Sequence, residues 1–419
     1  MDKRIAHKII ISHPTGNSNV RAIVDGLHST DMLLKFVTTI ASFPGNIWDL
    51  ASSVPGLSEL KRRSFDPVLR KHTSVFPWIE IGRMLSKKSG MNNLTAHELG
   101  MFCVDQVYRS LDRHVSKELK SSVAQGLTAV YAYEDGAFET FKVAKELGLL
   151  CVYDLPIAYW ETGKTLMMEE LERLPRWSGT LGGGVTDSTE KTDRKTAELE
   201  MADLIVTPGS FVAESIKNFS SKKVIMSPFG SPAVNSKYTK KDLSNPLRIL
   251  FVGSMGQRKG LSDLFEAIKM LNTHLVELVV LGSLLEDIKF YKDELPNFIY
   301  EPTRSHHEVL NLMSSCHIFC LPSIVEGRAL VIQEAMSQGL PIIITPNTGG
   351  EDLVIEGQTG FLVPIRSPER IAESIAWFLS NRNLIHSMGI CAQDHAAKYS
   401  WSQYSTDVIN EINNFNPHL

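Results

Sequence analysis

Short runs of β-branched and aliphatic residues alternate with longer amphipathic stretches along almost the whole chain, and this alternation restricts the fold more than any other feature. Each short run has the length of a buried strand, and each intervening stretch is long enough for a helix to cross back over a sheet. Strands joined by crossover helices lie parallel, so the pattern predicts an α/β protein. Buried strands are expected at 8–12, 35–40, 129–133, 149–153, 204–207 and 223–227, then at 248–252, 277–281, 317–321 and 341–345. Helices are expected between them, for example at 138–147, 191–201 and 261–271.

The series restarts once. From Ser227 to Pro246 the chain concentrates Pro, Gly, Ser and Lys, and a fresh strand–helix succession opens just beyond. That composition marks a domain boundary. A chain of 419 residues exceeds the size at which one core keeps growing, so two domains are expected, at 1–230 and 245–397. The amphipathic tail over about 400–419 either closes the second domain or packs back on the first. The run Leu181-Gly-Gly-Gly-Val185 reads as a mobile loop tip.

A net charge of -4 speaks against a nucleic-acid partner, because such proteins usually carry a basic excess. Five cysteines, an odd number set in apolar stretches, suit reduced thiols better than a disulfide framework. The opening residues run into an apolar segment too brief for a secretory signal, and no stretch reaches the roughly 20 apolar residues that span a bilayer. The expected location is cytoplasmic, with any membrane contact peripheral. The stretch from Lys61 to Ile79, rich in Arg, Lys and aromatic residues, reads either as a solvated surface or as a patch resting on an anionic bilayer at its inner face.

Chemistry concentrates after three strands of the second half. Cys320-Leu-Pro-Ser323-Ile-Val-Glu326-Gly327-Arg328-Ala329-Leu330 leads from a strand end into a helix carrying Glu334. Glu326 then falls in a loop at the carboxyl end of a parallel strand, where open α/β sheets bind ligands. Were the segment fully helical, the two carboxylates would stand roughly 12 Å apart, the scale of the span from a hexose to a ribose across a diphosphate. Amides from Arg328 to Leu330 at the helix start would face the ligand. Alternatively, the pair is an acidic cap and a solvated surface Glu. The segment Gly253-Ser-Met-Gly256-Gln-Arg258-Lys259-Gly260 also follows a strand, and two adjacent cations can neutralise a diphosphate. It fits neither the Walker spacing nor the dinucleotide fingerprint. Gly349 and Gly350 again open a helix after a strand, whereas Gly360 reads as a turn before a short strand.

In the first half, Gly16 and Asn17 follow the first strand, with His13 just before them. Glu134 and Asp135 follow the strand at 129–133. All four are candidates for the cleft or for a substrate. For Asp135 the competing explanation is a helix cap, and for His13 a structural partner.

Together these segments resemble the retaining glycosyltransferases of family 4. The resemblance rests on Phe251-Val-Gly-Ser with Arg258-Lys-Gly, on Pro322-Ser with Glu326 and Glu334-Ala-Met, and on Gly349-Gly with Gly357-Gln-Thr-Gly360-Phe-Leu-Val. It extends to Glu198-Leu-Glu-Met-Ala-Asp203 and Tyr399-Ser-Trp401. It implies the GT-B fold, two Rossmann-like domains facing each other across a cleft, the first binding acceptor and the second a nucleotide-sugar donor. It further implies that Arg258 and Lys259 contact the donor diphosphate, that Glu326 and the backbone of Gly327 to Leu330 hold the donor sugar, and that Glu334 holds the ribose. Gly253 and Ser323 join the expected donor site; Gly16, Asn17, Glu134 and Asp135 join the acceptor side. No cofactor and no metal are expected beyond the nucleotide sugar as co-substrate, a UDP- or GDP-sugar, and the acceptor is a glycan or lipid-linked. The chain departs from the family pattern at Thr15-Gly16-Asn17, where adjacent glycines are usual, and at Tyr133-Glu134-Asp135, where a histidine is common. A sugar-nucleotide epimerase, a phosphorylase or a non-catalytic sugar-nucleotide-binding partner are the alternatives within this architecture.

Overall fold

A computed structural model of the chain describes residues 7–52, 54, 58–182, 185–235, 241–243 and 246–415. Two sheets organise them. The first comprises β1 (Ile9–Ser12), β2 (Leu33–Thr38), β3 (Thr73–Val75), β4 (Ala129–Tyr133), β5 (Leu150–Asp154), β6 (Leu204–Thr207) and β7 (Lys223–Met226), in the order β3-β2-β1-β4-β5-β6-β7. The second comprises β8 (Leu247–Val252), β9 (Val276–Leu281), β10 (Phe298–Glu301), β11 (Ile318–Leu321), β12 (Ile342–Ile344) and β13 (Gly360–Leu362), in the order β10-β9-β8-β11-β12-β13. Every named strand pairing is parallel.

All ten expected strands form, and the short one after Gly360 is β13. Edge strands β3 and β10 add to these; β3 has three residues and is partly exposed, and β10, Phe-Ile-Tyr-Glu, is buried only at Phe298. The second sheet has the strand order of a Rossmann domain, and the first follows the same plan with one further strand. In both, the order reverses beside the opening strand, between β1 and β4 and between β8 and β11. A crevice opens beyond the carboxyl ends at such a point.

Side chains alternate across the first sheet. Ile9, Ile11, Tyr131 and Val152 bury on one face, and Ile10, Val130, Cys151 and Tyr153 on the other. Helices cover both faces, as a parallel sheet requires. The helix Trp401–Asn413 returns to the first domain, burying Tyr404, Val408, Ile409 and Ile412 with Ile9, Ile11 and Leu27. Its Tyr404 hydroxyl donates to Asp154 at 3.3 Å, and Tyr131 donates to the same oxygen at 2.6 Å. Burial pushes the Asp154 carboxyl up to about 7, with the tyrosine hydroxyls opposing. Cys103, Cys151, Cys316 and Cys320 are buried thiols, whereas Cys391 is exposed.

Among the described residues, no helix is long and apolar enough to cross a membrane. Of the basic and aromatic stretch, Trp78 is exposed while Phe76 stacks on His114. Gly183 and Gly184 of the expected loop tip, and 236–240 and 244–245 of the expected boundary, lie outside the described residues.

Candidate functional site

The two crevices meet. After β8 the chain makes a single turn, Gln257–Lys259, and then enters the helix Leu261–Leu271. Gly260 allows this turn to lie against the loop after β11: its φ is +69°, and a Cβ there would stand 2.0 Å from the Pro322 carbonyl oxygen. The Arg258 carbonyl accepts the amides of Ile324 (2.9 Å) and Val325 (3.3 Å). The Arg258 guanidinium donates to the Val325 carbonyl at 3.0 Å and to Glu326 Oε1 at 2.6 Å. Lys259 pairs with the same carboxylate oxygen. Three of the expected residues, Arg258, Lys259 and Glu326, thus form one cluster. Burial pulls Lys259 below the usual lysine range, Glu326 opposes, and the neighbouring Arg258 adds to the depression.

This cluster abuts the first domain. The Glu326 carbonyl accepts the Ala158 amide at 3.3 Å. A Cβ on Gly327 would come within 1.6 Å of the Pro156 carbonyl oxygen, so a larger residue would push the loops apart. A cavity of about 230 Å³ remains beside this contact. Arg258 and Val325 line it from the second domain; Glu134, Trp160, Lys164, Asp187 and Lys195 line it from the first.

Several expectations about the loop after β11 need correction. The helix runs Leu330–Ser337, so residues 326–329 are not helical and the 12 Å spacing has no basis. The Ala329 amide is not free, because it donates to the Thr348 carbonyl at 3.1 Å; the Arg328 and Leu330 amides have no partner among the described residues. The Arg328 side chain is buried and engaged by the protein, on Asp352 (2.7 and 3.1 Å), Gln333 (3.0 Å) and the Gly349 carbonyl (2.9 Å). Ser323 is fully buried, and its Oγ has no protein partner. Glu334 stands in the second turn of the helix with Nε2 of exposed His306 at 3.0 Å. It makes no contact with Glu326. Gly253 follows β8 directly, and Gly349 packs on the Gly327 carbonyl.

In the first domain Asp135 is not a helix cap. Glu198 accepts the amides of Asp135 (2.9 Å), Ala137 (3.1 Å) and Phe138 (3.2 Å), and Asp112 accepts those of Glu139 (2.7 Å) and Thr140 (2.9 Å). These two carboxylates serve the helix Phe138–Glu146. Asp135 itself adopts a left-handed φ of +71°, which aspartate tolerates better than most non-glycine residues. Glu134 is buried, and its Oε1 has no hydrogen bond. Burial pushes its carboxyl up to about 7; Lys195 opposes and Asp135 reinforces the shift. Lys195 Nζ lies 3.5 Å from Glu134, 3.7 Å from Asp135 and 4.0 Å from Asp187.

His13 takes the structural part of its two readings. Its Nδ1 accepts the amides of Thr15 (3.0 Å) and Gly16 (3.1 Å), and burial with the Arg63 charge lowers its pKa to about 3. It is a neutral brace for the turn that holds Gly16 and Asn17. Sequence reasoning missed Lys195, Asp187 and Trp160. The available signal was the row Lys191, Arg194, Lys195 within a helix expected to pack on the sheet, since buried cations need carboxylates opposite them.

Residues 236–395 match the family described as Glycosyl transferases group 1. An uncharacterized glycosyltransferase of Methanocaldococcus jannaschii is 29% identical over 163 residues, which cover 37% of this chain and 44% of that protein. The chain spans about half the length of the curated relatives it matches. Sucrose-phosphate synthase from Thermosynechococcus elongatus superposes with a TM-score of 0.64 at 14% identity, covering 97% of this chain and 98% of that one. Anabaena HepE in complex with UDP gives a TM-score of 0.62 at 14% identity, covering 97% and 100%. The two Rossmann-like domains are those of the GT-B fold.

Proposed function

We propose that the chain is a retaining glycosyltransferase of the family 4 type, which moves a hexose-type sugar from a UDP- or GDP-sugar to a glycan or lipid-linked acceptor. The setting we assign is cell-surface polysaccharide assembly, on the cytoplasmic side and in peripheral contact with the membrane. One observation carries the reading: Arg258, Lys259 and Glu326 form a single cluster at the switch point of the second sheet, pressed against the first domain. The match to Glycosyl transferases group 1 over residues 236–395 supports it, and the UDP bound by HepE supports a nucleotide diphosphate as the ligand class.

The cluster suggests how a donor is engaged. Without ligand, Glu326 pairs with both cations through one oxygen and leaves the trio with one net positive charge. A diphosphate entering the cleft competes for Arg258 and Lys259 with charge-assisted bonds of its own. Glu326 is thereby released to accept hydrogen bonds from the sugar hydroxyls, joined by the unengaged Arg328 and Leu330 amides. The cations stabilise the departing diphosphate, so no metal ion is required in this reading. The leaving phosphate assists deprotonation of the acceptor on the same face, which retains the anomeric configuration.

A thermal-shift screen against UDP, GDP, dTDP and ADP sugars tests this. A ligand at 100 times its Kd stabilises the fold by roughly 2.7 kcal/mol. Lys259→Ala should reduce donor binding by ~1.5–3 kcal/mol, the worth of a charge-assisted contact. If no nucleotide sugar shifts the transition, the reading fails. An inverted product anomer, read by proton NMR, would remove the retaining assignment alone.

A further inference from the structure

A cavity of about 380 Å³ opens in the first domain beside the start of the helix Ser18–Ser29. Its charged lining consists of Arg21, Arg62, Arg63 and Arg83 against Glu59 and Glu80, so cations outnumber carboxylates by two.

Three of the guanidiniums are fixed in place. Arg21 donates to the Gly16 carbonyl at 2.8 Å and the Arg62 carbonyl at 2.9 Å, and lies 4.0 Å over the Phe65 ring. Arg63 donates to the Pro14 carbonyl at 2.9 Å and to Glu80 at 2.7 Å. Arg83 takes both Glu80 oxygens at 2.7 Å. Glu80 is buried and fully occupied by this pair. Arg62 differs: it is exposed, and its side chain makes no hydrogen bond or ion pair among the described residues.

The turn after β1, Thr15 to Ser18, also lines the cavity. Asn17 makes no side-chain capping bond, its Oδ1 being taken by the Thr15 hydroxyl at 2.9 Å. The first bond into the helix is that of Arg21 to Asn17, so the amides of Ser18, Asn19 and Val20 remain without acceptors. No acidic side chain lies in this first turn. The cations also crowd one another. Burial depresses Arg21 and Arg63; Arg63 presses on Arg21 and Arg83 on Arg63, while Asp25 and Glu80 only partly compensate. An anion would relieve that repulsion.

We propose that this cavity binds the phosphate group of a phosphorylated acceptor, held by the Arg62 guanidinium and the unengaged amides of the helix start within a wall of fixed arginines. Two excess positive charges match the roughly −1.5 to −2 of a phosphate monoester near pH 7. Guanidinium and helix-start amides are the donors that phosphate oxygens select. Only the word acceptor rests on the glycosyltransferase reading; phosphate binding belongs to the cavity itself. Part of the basic stretch open to reading as a bilayer patch becomes, on this view, one wall of a substrate site.

The experiment is calorimetric titration of the full chain with inorganic phosphate in saturating UDP, which occupies the second-domain cluster. Phosphate should bind in the presence of UDP, and Arg62→Gln should weaken it roughly tenfold, the loss of one charge-assisted contact. Lys61→Gln, an exposed neighbour that does not line the cavity, should leave it within about twofold, a change equivalent to general charge attraction alone. UDP affinity should be unchanged in both variants, which also reports that they fold. Sedimentation with vesicles of phosphatidylglycerol, against phosphatidylcholine, separates the sources. Arg62-dependent pelleting identifies a lipid phosphate, and phosphate binding without pelleting a water-soluble one. Phosphate displaced by UDP, or bound equally by wild type and Arg62→Gln, overturns the proposal. Failure of UDP and GDP alike to bind counts against the glycosyltransferase reading instead, and the Arg62 dependence of phosphate binding still decides the cavity.

Discussion

Each domain offers a buried cluster of charges at the switch point of its sheet, and the two are built differently. In the second domain Glu326 holds Arg258 at 2.6 Å and Lys259 on the same oxygen, so both cations already have a carboxylate partner without a ligand. In the first, Lys195 stands 3.5 to 4.0 Å from Glu134, Asp135 and Asp187, and buried oxygens of Glu134 and Asp135 lack hydrogen bonds. Buried polar groups are nearly always satisfied, and a half-satisfied network is costly. The paired cluster must be opened by competition, whereas the incomplete one gains from any hydroxyl-rich group placed among its members. On the proposed reading, the donor diphosphate does the first and a sugar the second.

The sharpest way to break this contrast is Glu326→Gln. Removing the carboxylate charge frees both cations, so UDP should bind at least as tightly as to wild type while turnover of the nucleotide sugar falls. Loss of one preorganised polar group at a reacting centre costs about 10²–10³ in rate. Weaker UDP binding, measured by calorimetry beside the turnover assay, would mean that Glu326 does not compete with the diphosphate.

The two clusters were not equally legible in the amino-acid order. Arg258, Lys259 and Glu326 each follow a strong apolar run, so their loops fall at the carboxyl ends of two neighbouring parallel strands. What that reading missed is tertiary. The Ala329 amide is taken by Thr348 and the Arg328 side chain by Asp352, contacts made by the next βα loop, which a local pattern does not reveal. Asp135 looked like a cap because it precedes a helix, yet Glu198, 63 residues further along, supplies the carboxylate. Lys195 stayed hidden because a cation in an amphipathic helix ordinarily faces water. Its carboxylate partners Glu134 and Asp135 lie some 60 residues earlier, after β4.

The incomplete cluster makes a pH-dependent prediction of intermediate size. Burial raises Glu134 from the ordinary carboxylate value to about 7 in the fold. A raised carboxyl binds its proton more tightly when folded, so ionisation penalises the native state. The penalty is absent below about 4.5, grows as pH rises towards 7 and is constant above it. Glu134→Gln removes a group that titrates and leaves one that does not. Its stability relative to wild type should therefore improve between pH 4.5 and 7.5, on the order of 3 kcal/mol for a carboxyl moved from its ordinary value to about 7 with Lys195 already opposing the shift. Urea unfolding of both proteins at pH 4.5, 6 and 7.5 gives the difference directly. A constant offset across that range would show that Lys195 already satisfies Glu134, and the contrast between the clusters would disappear.

The smallest effect concerns Glu334, which belongs to neither cluster. Its only described side-chain partner is the exposed His306, at 3.0 Å. An exposed pair of this kind contributes at most about 0.5–1 kcal/mol, so Glu334→Ala should barely move the unfolding transition. If Glu334 instead accepts hydrogen bonds from the ribose, its loss removes a contact made equally in ground and transition states. Donor KM then rises several-fold with kcat nearly unchanged, the signature of uniform binding. His306→Ala separates the two roles, because it deletes the partner while leaving the carboxylate free for the ribose. Donor KM raised in the Glu334 variant and unraised in the His306 variant supports the ribose role. Equal KM shifts in both would make the ion pair, and not the ribose, the reason Glu334 stands where it does.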